Sequence, residues 1–151
     1  MNMRFSIATE IDLPQIINLL SEDELGKSRE SVALPLDERY TQAFKEIAND
    51  PNNELIIAKD AGSVVAVLQV TYIPNLTLTG TKRAQIEGVR VSSTHRGKGI
   101  GRKLFSYTLS RAKEKGCKLA QLTTNNARPD AFRFYESLGF KPTHVGFKLP
   151  L

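Results

Sequence analysis

Apolar positions change period twice near the start of the chain. Phe5 and Ile7 alternate with polar neighbours over Arg4 to Ala8, the two-residue period of a half-buried strand. Leu13, Ile16, Ile17 and Leu20 then recur at helical spacing, with Asp12 as the expected cap and Gln15 as its capping partner. Glu22 to Leu36 shows no regular pattern. Asp37 to Ala48 predicts a second helix, its inner side formed by Tyr40, Ala43, Phe44 and Ile47. The turn residues Asp50-Pro51-Asn52-Asn53 close it.

Three strands are expected next. They run from Glu54 to Lys59, from Val64 to Ile73 and from Arg83 to Val91, with a tight turn at Asp60-Ala61-Gly62 and a loop from Pro74 to Gly80. An antiparallel meander is the simplest arrangement. A glycine-rich segment follows, and Ile100, Leu104, Tyr107, Leu109 and Ala112 continue as a helix that stops at Gly116. Leu119 to Thr124 reads as a strand parallel to its predecessor, Asp130 to Leu138 as a helix and Val145 to Leu149 as a last strand. The sum is an α/β chain, a mixed sheet with helices packed on it.

Composition narrows this picture only a little. The 151 residues suit one domain over 1–151, and 40% hydrophobic with 25% charged residues is ordinary for a globular protein. Cys117 stands alone, which excludes an internal disulfide, fits a reducing cytoplasm and reads as a small buried filler. No apolar h-region and no membrane-length apolar run is seen, so neither a signal peptide nor a membrane partner is expected. His95 and His144 have no metal-ligand spacing, so no metal is expected. The formal charge of +5 matters through its placement. Arg90, Arg96, Lys98, Arg102 and Lys103 crowd one segment, which favours a local anion site over the long basic stripe that nucleic acid requires.

That segment carries the chemistry. Glycines at 97, 99 and 101 remove Cβ atoms just before a helix whose first N–H groups lack intrahelical partners. The helix dipole adds positive potential there, so the combination is a phosphate cradle. It is not a Walker A loop, because it ends Gly101-Arg102-Lys103 rather than Gly-Lys-Ser/Thr. It is not the dinucleotide fingerprint either, because the third glycine comes one residue early.

Arg96-Gly97-Lys98-Gly99-Ile100-Gly101 resembles the Arg/Gln-x-x-Gly-x-Gly/Ala loop of the GNAT superfamily of N-acetyltransferases, and Phe134-Tyr135-Glu136-Ser137-Leu138-Gly139-Phe140 resembles its second hallmark. Thr124 to Tyr135 is further similar to a bacterial branch that includes aminoalkylphosphonate acetyltransferases. The resemblance implies a mostly antiparallel sheet of about six to seven strands, splayed around a pantetheine cleft and flanked by about four helices. It implies acetyl-CoA as co-substrate. The backbone of Val89, Arg90 and Val91 would pair with the pantetheine, the amides of Gly97, Lys98, Gly99, Ile100 and Gly101 would hold the pyrophosphate, and Arg96 and Arg102 would reach other phosphates. Asn125 would hydrogen-bond the cofactor; many relatives carry asparagine instead at the position of Arg128.

Acetyl transfer to an amine needs a base and an acid. Glu87 is the candidate base: a regular strand would put it on one face with Val89 and Val91, although a bulge, usual in this family, alters that count. Tyr135 is the candidate acid for the leaving thiolate, and a backbone N–H near Val89 is the candidate oxyanion donor. Glu22, Asp23, Glu24, Tyr40 and Tyr72 are candidates for the acceptor end, where an acidic cluster would suit a cationic amine. The implied partner is a small-molecule amine, acetylated by direct transfer in a ternary complex. A protein lysine or N-terminal amine, and a non-catalytic acyl-CoA sensor, remain as alternatives. Dimers are common in the family, so a homodimer is a further expectation.

Overall fold

The computed structural model describes residues 2–151. Eleven elements follow in chain order: β1 (Met3–Ile7), α1 (Leu13–Ser21), α2 (Glu24–Arg29), α3 (Glu38–Asn49), β2 (Asn53–Asp60), β3 (Ser63–Ile73), α4 (Thr77–Gly80), β4 (Arg83–Val91), α5 (Ile100–Glu114), β5 (Leu119–Leu122) and α6 (Pro129–Ser137). The sheet order is β1-β2-β3-β4-β5. The first three pairings are antiparallel and β4–β5 is parallel. The mixed, mostly antiparallel fold is therefore as expected, but the sheet has five strands and the helices number six. The expected last strand, Val145 to Leu149, does not form: those residues are exposed and unpaired among the described residues.

Two apolar layers sandwich the sheet, because successive strand residues point to opposite faces. On one face Ala66, Leu68, Val70, Ala84 and Ile86 pack under Ile100, Leu104 and Phe105 of α5. Phe134, Tyr135 and Phe140 pack beside them, each ring within 6 Å of Phe105. On the other face Ile57, Val64 and Val67 meet Leu13, Ile16, Ile17 and Leu19 of α1 and Phe44 of α3.

Asp12 stands at the N-cap position of α1 as expected, but its side chain does not cap that helix. Its carboxylate turns back instead and accepts the Thr9 N–H at 2.8 Å, in a capping box that opens a 3₁₀ turn over Glu10–Asp12. Gln15 is drawn to β3 instead, accepting the Val64 N–H at 2.9 Å. Long-range contacts thus override the local pairing that the spacing suggested.

Candidate active site

The sheet opens where β4 and β5 part. Their pairing stops at Ile86↔Leu122, while β4 runs on to Val91. The cause lies partly in β4 itself. Val67 faces Arg90 and Gln69 faces Glu87, so Gly88 and Val89 both oppose Leu68 in a β-bulge. Gly88 takes φ +62°, a conformation that favours glycine. Beyond the bulge the ladder to β3 resumes, with the Ser92 N–H on the Val65 carbonyl at 2.8 Å. Alternation then turns the Val89 and Val91 backbone groups away from β3. Their carbonyls accept side-chain donors: Arg90 Nη1 to Val89 at 2.7 Å and Arg96 Nε to Val91 at 3.4 Å.

The bulge also changes which side chains share a face. Ala84, Ile86, Val89 and Val91 all belong to the α5 side. Glu87, opposite Gln69, and Arg90, opposite Val67, belong to the α1 side. The simple count that placed Glu87 with Val89 and Val91 is thereby corrected. Glu87 is exposed and extends a polar row of Arg83 and Gln85, which Gln121 of β5 joins by hydrogen bonds of 3.1 and 2.7 Å.

The glycine loop ends at the start of α5, directly after β4. Gly97 and Gly99 have φ of +75° and +76°, and a Cβ on either would meet nothing within 4 Å. They are therefore needed for backbone shape rather than for internal space. Gly101 serves differently: a Cβ there would stand 3.0 Å from Phe134 and 3.6 Å from Val91, so its smallness lets α5 seat against α6 and β4. The first helical bond of α5 is Lys103 N–H to Gly99 at 3.1 Å. No hydrogen bond within the described residues uses the N–H groups of Gly99, Ile100, Gly101 or Arg102, and no side chain caps the helix. Arg96 and Lys98 are exposed beside these donors. Free amides, a helix dipole and mobile cations at one spot fit a diphosphate.

On the α1 side of the opening lies a group of arginines. Arg128 Nε donates to Asp23 Oδ2 at 2.8 Å, tying the start of α6 to the start of α2. Arg90 lies close enough to be depressed in pKa, first by burial and then by the charge of Arg128. Arg90 Nε and Arg128 Nη2 are buried donors without a partner. The Tyr135 hydroxyl is raised in pKa by burial, an effect that Arg90 and Arg128 partly offset, and it makes no hydrogen bond among the described residues. For Asp23 burial works upward, but the Gly26 amide and Arg128 hold the carboxyl below its ordinary value.

Comparison with known proteins decides the family. A model of the acetyltransferase (GNAT) family matches residues 13–140. The chain belongs to the GNAT family of acetyltransferases. Its GNAT relatives include an aminoalkylphosphonate N-acetyltransferase of Salmonella typhimurium, 32% identical over 70% of this chain and 71% of that one. Human N-acetyltransferase 8B is 33% identical over 60% of this chain but only 40% of its own length, so the chain spans well under half of that relative. Among solved structures, a Bacillus halodurans protein described as a transcriptional regulator is 51% identical, covers 99% of this chain and 100% of its own, and has a TM-score of 0.96. Membership places the protein among acetyl-CoA-dependent N-acetyltransferases.

Within this GNAT site, some residues singled out from sequence converge and others do not. The β4 edge, the glycine loop and the α5 amides adjoin one another, and Tyr135 lies behind them against Phe105. Arg102 donates to the Ser137 carbonyl and hydroxyl at 3.4 and 3.2 Å, at the end of α6. Asn125 Oδ1 accepts the Ala127 N–H at 2.9 Å and its carbonyl accepts that of Arg128, so it shapes the turn into α6.

Of the two aromatic candidates for the acceptor end, Tyr72 is corrected. Tyr72 is buried and donates to Glu54, and Tyr40 bonds Glu30 at 2.7 Å, which ties α3 to the end of α2. Glu22 accepts the Ser93 N–H at 3.1 Å, and Glu24 pairs with Lys27. Only Asp23 of the acidic run meets the arginines. Sequence reading missed the Arg90–Arg128 pair. The one signal for it was the arginine at 128 where asparagine is common.

Among the described residues no cluster of three or more His, Cys, Asp or Glu side chains could hold a metal ion. Among the described residues no helix is long and apolar enough to cross a membrane.

Proposed function

We propose that this protein moves the acetyl group of acetyl-CoA to the primary amine of a small molecule by direct transfer in a ternary complex. We further propose that the acceptor carries an anionic group. The observation behind the acceptor reading is the two arginines facing one carboxylate, with Arg90 Nε and Arg128 Nη2 buried and unpartnered. Buried donors of this kind cost free energy unless a ligand accepts from them. A phosphonate, phosphate or carboxylate would do so with charge-assisted bonds. The name of the Salmonella relative, an aminoalkylphosphonate N-acetyltransferase, points the same way.

In this reading the open edge at Val89 and Val91 receives the pantetheine amides, and the loop and α5 amides at 97–101 receive the pyrophosphate, with Arg96 and Lys98 nearby. Acetyl-CoA supplies the activated thioester. Glu87, exposed on the acceptor side of β4, takes the amine proton directly or through water. A backbone N–H near Val89 faces the developing oxyanion. Tyr135, held neutral by burial, gives its proton to the leaving thiolate. Arg102, bonded to Ser137, and Asn125, bonded within its own turn, support the walls of the cofactor cleft.

The test is acetyl-CoA-dependent thiol release with matched acceptors: an aminoalkylphosphonate, an ω-amino acid, an uncharged alkylamine and a diamine of equal chain length. The anionic acceptors should give the higher kcat/KM. A preference for the diamine would refute the anion assignment. Tyr135→Phe should lower kcat by about a hundredfold or more, with acetyl-CoA affinity unchanged. A second reading is supported by the Bacillus halodurans neighbour, described as a transcriptional regulator: an acyl-CoA sensor without turnover. It would predict acetyl-CoA binding by calorimetry with no thiol release for any acceptor.

A further inference from the structure

The glycine loop is tied down at its start and free at its end. The Ser92 N–H bonds the Val65 carbonyl at 2.8 Å, and His95 Nε2 lies 3.1 Å from Asp60 Oδ2. Between these two ties the Ser93 N–H donates to Glu22 Oε2 at 3.1 Å, across 71 positions of sequence. From Gly97 to Gly99 no N–H group is used by a hydrogen bond among the described residues. The three ties therefore fix where the free amides begin. Val65 and Asp60 belong to β3 and β2, inside the sheet. Glu22 alone reaches the loop from outside it, from the turn between α1 and α2.

That turn is a firm support. A Cβ on Gly26 would stand 2.0 Å from the Leu20 carbonyl oxygen, so the chain folds back there with space for glycine only. Asp23 caps α2 by accepting the Gly26 N–H at 2.7 Å. A Cβ on Gly88 would stand 3.9 Å from Leu20 Cδ2, so the same turn rests on the β4 bulge. Asp23 then accepts from Arg128, which follows β5. Two consecutive carboxylates thus hold residues just beyond β4 and just beyond β5, the strands that part at the cleft. The charge of Glu22 opposes an anionic ligand, so any benefit to binding comes from its hydrogen bond. A loop ordered before the ligand arrives does not pay its ordering entropy on binding.

We propose that Glu22 is a positioning residue for the cofactor: its bond to the Ser93 N–H presets the loop so that the amides at 97–101 meet the diphosphate of acetyl-CoA. This rests on the assignment of those amides to the diphosphate.

Calorimetry with acetyl-CoA, in the absence of any acceptor, compares Glu22→Gln with Glu22→Ala. Both variants lose the charge, and only glutamine keeps an oxygen that can accept the Ser93 N–H. The Kd should be about fivefold higher in Glu22→Ala than in Glu22→Gln, the size of one hydrogen bond. In the unliganded protein, hydrogen exchange at the Ser93 amide should quicken in Glu22→Ala and stay slow in Glu22→Gln. The Tm of both should stay within about 2 °C of the native chain, because the bond is exposed. Equal Kd values for the two variants would overturn the proposal, and so would a Ser93 amide that exchanges freely in the native chain. Gly99→Val separates this outcome from the loop assignment. It strains a φ of +76° and should weaken acetyl-CoA binding by about tenfold or more. If it leaves binding unchanged, the loop does not hold the diphosphate and the role of Glu22 falls with it. If it weakens binding while the two Glu22 variants agree, only the role of Glu22 falls.

Discussion

Two arginines in this chain each reach across the fold to a carboxylate, and they end in opposite states. Arg111 of α5 meets Glu54 of β2 through Nε at 3.1 Å and through Nη2, and Tyr72 donates to the same carboxylate. Burial works to raise the Glu54 pKa, but Arg111 and Tyr72 together hold it below its ordinary range. Tyr72 is raised by burial and by the neighbouring carboxylate. Arg111 and Tyr72 have no buried unpartnered atom. Arg128, by contrast, shares Asp23 with a second arginine nearby, and both guanidinium groups keep a buried donor without an acceptor. The first cluster is closed and holds a helix to the sheet. The second lacks acceptors, which is the condition of a site built for something outside the chain.

The contrast breaks most sharply at Glu54. Glu54→Ala leaves Arg111 and Tyr72 buried without their partner, and losing one side of such a pair costs about 3–5 kcal/mol. For a chain of this size that is roughly a 10 °C fall in Tm. Urea unfolding should show the loss while the KM for an acceptor stays unchanged. Replacing the pair together, as Glu54→Leu with Arg111→Met, should recover the share due to Arg111, since apolar packing can stand in for a buried ion pair, while the Tyr72 hydroxyl stays without its acceptor. The pH dependence has a definite sign. A depressed carboxyl contributes stability above its unfolded-state pKa of about 4.3, and that stability is lost as pH falls through the lower folded value. The double variant should therefore lose less stability than the native chain below about pH 4. A large change in acceptor KM from Glu54→Ala would erase the distinction between the two clusters.

At the open cluster the expected pattern is reversed. Arg128→Met keeps the length of the side chain and removes one buried unpartnered donor, so stability should change little. Binding of an anionic acceptor should lose a charge-assisted contact of about 1.5–3 kcal/mol, a rise in KM of roughly ten- to a hundredfold. The KM for acetyl-CoA should not move. Arg90→Met is the less clean probe, because the Arg90 side chain also bonds the Val89 carbonyl on the pantetheine edge. Equal losses for anionic and uncharged acceptors in Arg128→Met would argue for a merely structural arginine.

The closed elements were the legible ones. Strands β2 to β4 and helix α5 lie close to where alternation and helical spacing put them, because one face of each meets a continuous apolar layer. The glycine loop was legible for a different reason: three glycines among cations just before a helix start make a phosphate cradle from local backbone alone. What could not be read depends on distant partners. Asp23 and Arg128 are 105 positions apart, and nothing local in either segment marks them as a pair. The Gly88–Val89 bulge moved Glu87 to the opposite face from Val89, a shift that residue counting cannot locate. Tyr72 was misread because nothing in sequence shows that its hydroxyl reaches Glu54 on the neighbouring strand. The tail failed as a strand because alternation alone does not make one: Val145 to Leu149 form no backbone hydrogen bond to any neighbouring edge among the described residues.

The smallest expected effect is the most discriminating. Asp23 has two duties: its Oδ1 accepts the Gly26 N–H at 2.7 Å as the cap of α2, and its Oδ2 neutralises Arg128. Asn caps a helix about as well as Asp, so Asp23→Asn preserves the first duty and removes only the charge. If Arg90 and Arg128 serve an anionic acceptor, Asp23 competes with that acceptor for the guanidinium groups. Removing the competitor should then lower the KM for the anionic acceptor by roughly two- to fivefold, the size of a partly exposed ion pair of up to about 1 kcal/mol. The gain should shrink as salt is added, because these charges are partly solvated. Stability should fall slightly at the same time, since the two arginines lose the only carboxylate bonded to either of them among the described residues. If Asp23 instead recognises the amine, the same substitution must raise the KM for every acceptor, so the sign of one small change separates the two readings.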